Sequence, residues 1–126
     1  MQTKPIQARV RPAAGATIID LEGDINSQGE KNLRQAYQRA RQSSLDAGNA
    51  PQPILFNFSR ADYINTSGIA VLISIVMEAQ KQGQKISLFG MSPHYQKIFK
   101  LVRLPLYADL FATEEEALAS CQSRDP

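Results

Sequence analysis

The chain has 126 residues, 43% hydrophobic and 21% charged, enough to bury one core without disulfides or metals, as a single globular domain does. A net charge of +2, with no basic tract interleaved with aromatics, gives no argument for nucleic acid as a partner. One cysteine, Cys121, excludes an intrachain disulfide framework and fits a reducing compartment. The first residues, Met1 to Gln7, hold no apolar signal core, and the longest apolar run, Ile69 to Met77, falls far short of the roughly 20 residues that span a bilayer. The expectation is a soluble cytoplasmic protein that inserts into no membrane.

Ile6 to Val10 alternates in polarity and predicts a half-buried edge strand, and Pro12-Ala13-Ala14-Gly15 turns the chain into a second strand from Thr17 to Leu21. Ser27 and Glu30 have the spacing of a capping box. The helix it opens would place Leu33, Ala36, Tyr37 and Ala40 inward, with Lys31, Arg34, Gln38, Arg39 and Arg41 on or near the other side. Such a face is usually just solvated, and otherwise suits an acidic partner. After an Asp46–Pro53 loop, Ile54 to Phe58 has the apolar character of a central parallel strand.

Ser59 to Tyr63 then reads as a polar turn, and a long apolar helix runs from Thr66 to about Gln82, stopped by Gly83. Ile69, Leu72, Ile73 and Val76 are its predicted buried face. Ile86 to Phe89 is the next strand. Ser92 caps a short helix with Pro93 in its first position, and Thr113 with Glu116 opens the last helix. The sum is an α/β domain with a mixed sheet of four or five strands and about four helices, its core from about residue 6 to 119 and a flexible tail over 122–126. The turn before Thr66 then lies at the carboxyl end of a central strand, where α/β sheets keep their sites.

At that place Thr66 and Ser67 begin a helix whose unpaired N–H groups and dipole favour a phosphate. Each hydroxyl is equally an ordinary N-cap. Catalysis has little support. His94 stands alone, one Cys and one His cannot build a tetrahedral zinc site, and neither a phosphate loop nor a Gly-x-Gly-x-x-Gly turn is present. No catalytic residue, metal or cofactor is expected. Tyr63 and Tyr107 suit either exposed recognition or half-buried packing.

The segment Phe56-Asn57-Phe58-Ser59, then Tyr63-Ile64-Asn65, then Thr66-Ser67-Gly68 resembles the signature of the STAS domain, the family of bacterial anti-sigma factor antagonists and related modules. Ile18 to Asn26, Lys85 to Gly90, Ser92 to Phe99, and Phe111 with Thr113 to Leu118 resemble the family's other segments in order, so the likeness runs from about Ile6 to Ala119. The resemblance implies a protein that binds an anti-sigma factor acting also as a serine/threonine kinase. Its phosphoacceptor would be Thr66, with Asp24, Asn26, Asn65, Ser67 and Gly68 as the surrounding contact residues. Two positions depart from the pattern: Asn65 and Asn26 stand where the family has aspartates, while Asp24 remains two residues from the latter. An amide keeps the shape but cannot take a proton from a hydroxyl, so phosphorylation would be slow or absent if those carboxylates matter. The alternative is a non-switching STAS subunit docked on a membrane transport ATPase of the lipid-trafficking type; a small-ligand sensor has no pocket signature to support it.

Overall fold

The computed structural model describes residues 4–48 and 50–122. Five strands, β1 (Gln7–Ala13), β2 (Ala16–Ile25), β3 (Ile54–Ile64), β4 (Ile86–Phe89) and β5 (Asp109–Phe111), form one sheet in the order of the chain. β1 and β2 are the expected antiparallel hairpin, turned through Ala14 and Gly15, whose φ of 78° suits glycine. The remaining pairs are parallel and are joined by α1 (Glu30–Asp46), α2 (Thr66–Lys81) and α3 (Pro93–Leu101); α4 (Glu114–Gln122) follows β5. Gln122, expected in the tail, closes α4, and residues 123–126 lie outside the described residues.

A strand order that never reverses, with right-handed crossovers, sends successive helices to the same face. The packing agrees: Ile19, Leu21, Phe56, Phe58 and Leu88 share one apolar cluster with Leu33 and Tyr37 of α1, Leu72 and Val76 of α2 and Phe99 of α3. Among the described residues only α4 covers the opposite face, setting Ala117 and Cys121 against Ala16, Ile18, Leu55 and Phe89.

Four expectations need correction. The polar stretch Ser59 to Tyr63 is not a turn but the second half of β3, paired with β2 through Arg60–Glu22, Ala61–Gly23 and Ile64–Ile25 across two register shifts. Ser59 to Tyr63 carries no apolar alternation of its own; the ladder to β2 places it, with Ala61 packed against the core, Ser59 bonded to Asn57 and Asp62 paired with Lys4. The buried stripe of α2 is Gly68, Val71, Leu72, Ile75, Val76 and Ala79, with Ile69 and Ile73 only partly covered. Gly68 sets this phase: a Cβ there would lie 2.1 Å from the carbonyl oxygen of Ile25, so the glycine must face β2 and the stripe follows at i+3 and i+4.

Third, Ser27 and Glu30 do not form a capping box. Asn26 caps a short 3-10 turn (Ser27–Gly29) by accepting from the Gln28 N–H at 3.0 Å, while Glu30 pairs with Arg34 Nε at 2.9 Å. Asn and Ser cap about equally well, and the N–H of Ser27 is drawn elsewhere. Fourth, the basic side of α1 is not simply solvated. Arg34 also reaches Ser74 Oγ at 2.6 Å and Glu78 at 3.3 Å, and Arg41 reaches Gln84 at 2.8 Å, tying α1 to α2 and the segment after it. The later caps fall where the sequence puts them: Ser92 accepts from Tyr95, Thr113 Oγ1 from Glu116, and Gly83 takes a φ of 71° after α2.

Candidate functional site

β3 carries the chain to Ile64, whose N–H donates to the Tyr95 hydroxyl of α3 at 2.9 Å. Asn65 is extended (φ −90°, ψ 179°), and its N–H donates to the Ile25 carbonyl at 3.2 Å. Its Oδ1 accepts the Gly68 N–H and the Ser67 hydroxyl, both at 2.8 Å, which is the geometry of an N-cap. Ser67 Oγ in turn accepts the Ser27 N–H at 3.1 Å, joining the loop after β2 to the start of α2.

Ser67 is therefore engaged as both donor and acceptor. Thr66, at the first helical position, is exposed, and its hydroxyl has no hydrogen-bond partner among the described residues. The first-turn N–H groups of a helix have no acceptor within it, and the Asn65 side chain satisfies only that of Gly68. A phosphate on Thr66 would meet the positive end of a helix 16 residues long.

Asn65, Ser67 and Gly68 thus meet the Asn26–Ser27 loop in one hydrogen-bonded unit. Asp24 is employed differently: its carboxylate accepts the Lys4 N–H at 3.0 Å and its own N–H donates to the Lys4 carbonyl at 2.9 Å. No bond joins Asp24 to Thr66. Two contributors escaped sequence reasoning. Ser27 carried a capping signal that concealed its contact with Ser67, and Tyr95 carried no signal at all. Tyr63 is 61% exposed beside this site, and Tyr107, in the turn after α3, is 37% exposed, so neither is a core residue. His94 is exposed and stacks edge-on with Tyr95, ring centres 5.0 Å apart.

Asn57, from the same signature, looks to the other face of the sheet. Its Nδ2 donates to Asp20 at 2.8 Å, and its Oδ1 accepts the N–H and hydroxyl of Ser59 at 2.9 and 2.8 Å. Asp20 also takes Arg11 Nε at 2.6 Å, and Arg11 Nη2 reaches Glu114 of α4 at 2.7 Å. Burial opposes ionisation of Asp20, but the hydrogen bonds of Arg11 and Asn57 and the charges of Arg11 and Arg60 outweigh it, holding the carboxyl below its ordinary value. The two carboxylates push the Arg11 guanidinium further into its charged form. A polar cleft of about 250 Å³ opens here between Arg9, Glu22, Asn57 and Arg60. Among the described residues no group of His, Cys, Asp and Glu could hold a metal ion, and no helix is long and apolar enough to cross a membrane.

Residues 5–117 match the STAS domain family, and the chain belongs to it. Its fold is that of an anti-sigma factor antagonist from Mycobacterium paratuberculosis, with a TM-score of 0.77 at 18% identity over 97% of this chain and 100% of that one. The Bacillus cell fate determinant SpoIIAA in its phosphorylated form superposes with a TM-score of 0.64 at 22% identity, covering 90% of this chain and 98% of the other. The murine Solute Carrier 26 family member A9 anion transporter matches 90% of this chain with only 19% of its own length, at 18% identity and a TM-score of 0.69. Identities this low speak for the fold alone.

Proposed function

We propose that this STAS domain is a regulatory protein-binding module, docking through the start of α2 and the Asn26–Ser27 loop onto an anti-sigma factor that is also a serine/threonine kinase, with Thr66 as phosphoacceptor. The observation that carries the reading is the contrast between adjacent hydroxyls: Ser67 is held by Asn65 and Ser27, while Thr66 is exposed on the first turn. The fold is shared with SpoIIAA, which has been solved in a phosphorylated form. A phosphate on Thr66 adds a charge near −2 that the helix start tolerates but that a close-packed partner surface must desolvate or repel. Binding and its reversal, rather than catalysis, are the output.

The test uses the partner kinase recovered by pull-down. Thr66→Glu weakens binding at least tenfold, about 1.4 kcal/mol, while Thr66→Ala binds near normally and is not phosphorylated. Mass spectrometry finds the phosphate on Thr66 and not on Ser67. A second reading has support in Asn65 and Asn26, whose side-chain oxygens serve as caps and which carry no charge. On that reading the domain docks permanently, for instance on a membrane transport ATPase. Equal binding by the Glu and Ala variants favours it. Faster phosphorylation after Asn65→Asp and Asn26→Asp favours the switch.

A further inference from the structure

From Pro93 to Ala108 the sequence contains no acidic residue and three cations, Lys97, Lys100 and Arg103. None of the three makes an ion pair among the described residues. The same stretch holds four of the six exposed large apolar side chains of the described residues: Leu101 at 76%, Leu106 at 66%, Val102 at 39% and Tyr107 at 37%. On α3, Lys97, Lys100 and Leu101 fall at i, i+3 and i+4, so they share one side of the helix, opposite the fully buried Phe99. Beyond Leu101 the chain coils tightly, with the Arg103 N–H on the Lys100 carbonyl at 3.1 Å and the Leu106 N–H on the Arg103 carbonyl at 3.2 Å. Leu104, 1% exposed, anchors this turn from inside.

Arg103 itself has a φ of 65°, the one positive value at a non-glycine residue among the described residues. It stands just past the cap of α3, where glycine is the usual residue. Glycine would adopt this conformation at no side-chain cost, so the arginine gives the turn no gain in backbone stability.

We propose that this end of α3 and the turn after it dock on an anionic lipid surface, Leu101 and Leu106 entering the interface while Lys97, Lys100 and Arg103 meet lipid phosphates. Charge complementarity, with exposed apolar side chains set among the cations, favours lipid over the other occupants. From Lys97 to Leu106 the only polar side chains are the three cations, and Tyr107 at the edge adds a single hydroxyl, so the patch senses mainly charge and apolar depth, which is what a bilayer surface offers. Leu101 projects from α3, and Leu106, 66% exposed, stands at the rim of a shallow cleft beside Pro105 and Tyr107. A second copy of the chain would bring three cations against three. The contact is peripheral and reversible, and it is independent of Thr66.

The experiment is co-sedimentation of the purified protein with phosphatidylcholine vesicles and with mixed phosphatidylcholine–phosphatidylglycerol vesicles. At least about tenfold more protein should partition onto the anionic vesicles, and added salt should reduce it. Leu101→Ser with Leu106→Ser, both surface changes whose folding is checked by circular dichroism, should lower binding at least about fivefold. Lys97→Gln with Lys100→Gln should abolish the preference for anionic lipid. Arg103→Gly should weaken binding while leaving the thermal midpoint unchanged or higher, an outcome a merely structural arginine would not give. Equal partition onto both vesicle types, no partition, or a leucine variant that binds like the wild type overturns the proposal. So does a leucine variant that spares vesicle binding but loses a protein partner.

Discussion

Neighbouring residues of β2 face opposite surroundings. Ile19 and Leu21 lie in the apolar cluster shared with α1, α2 and α3, whereas Asp20 between them binds Arg11 and Asn57 on the face that α4 only half covers. One face is closed mainly by packing, with the Arg34–Glu78 pair bracing α1 against α2 at its surface. The other is closed by an apolar patch continued by a charged clasp, Asp20–Arg11–Glu114, that links β2, β1 and α4. Side chains of the clasp are about a third exposed, so each ion pair contributes modestly. The lesson is that a sheet wound in one direction fills one face with its crossover helices and must secure the other by different means.

The largest effects should come from the packed face. Leu72→Ala is expected to cost about 2–5 kcal/mol in denaturant unfolding, and clearly more than Ile69→Ala, because only Leu72 belongs to the fully buried stripe. Equal costs would put the helix in a different phase. Gly68→Ala should cost about 3 kcal/mol, the upper end for overpacking, since the obstructing atom is a backbone oxygen of β2 and cannot rotate away. It should also shift the cap at Asn65, visible as faster amide exchange at Gly68. A variant as stable as wild type would mean that helix and strand separate easily there.

Smaller effects belong to the clasp. Arg11→Ala should cost about 1 kcal/mol and loosen α4, read as faster amide exchange in that helix. Asp20 provides the pH signature. Its folded value lies below its unfolded one, so its stabilisation is present above 3.8 and is lost as the pH falls through the folded value. The stability difference between wild type and Asp20→Asn should therefore hold at neutral pH and shrink in acid. A difference that grows in acid would break the assignment of the clasp.

Much of this could be read from residues alone. The apolar strands, the caps Ser92 and Thr113, the stop at Gly83 and the position of Thr66 at a helix start all follow from local chemistry that tertiary contacts did not override. The rest depended on partners distant in sequence. Every residue of α2 from Ile69 to Val76 except Ser74 is apolar, so periodicity could not choose a face until Gly68 met Ile25. Ser59 to Tyr63 is a strand only because β2 runs beside it. β5 has three residues, too few to announce itself. Asp24 is placed near the site by the resemblance alone, and its hydrogen bonds to Lys4, 20 residues away, carry no mark in the sequence.

The strand order, β1 to β5 without a reversal, also bears on how the chain is built. No strand is inserted between two already paired, so each newly made segment finds a finished edge waiting for it, beginning with the local hairpin at the amino end. A polypeptide emerging from the ribosome can add one strand and one helix at a time, and every intermediate exposes a single growing edge. The three-residue β5 then ends the series with an edge too short to template another chain.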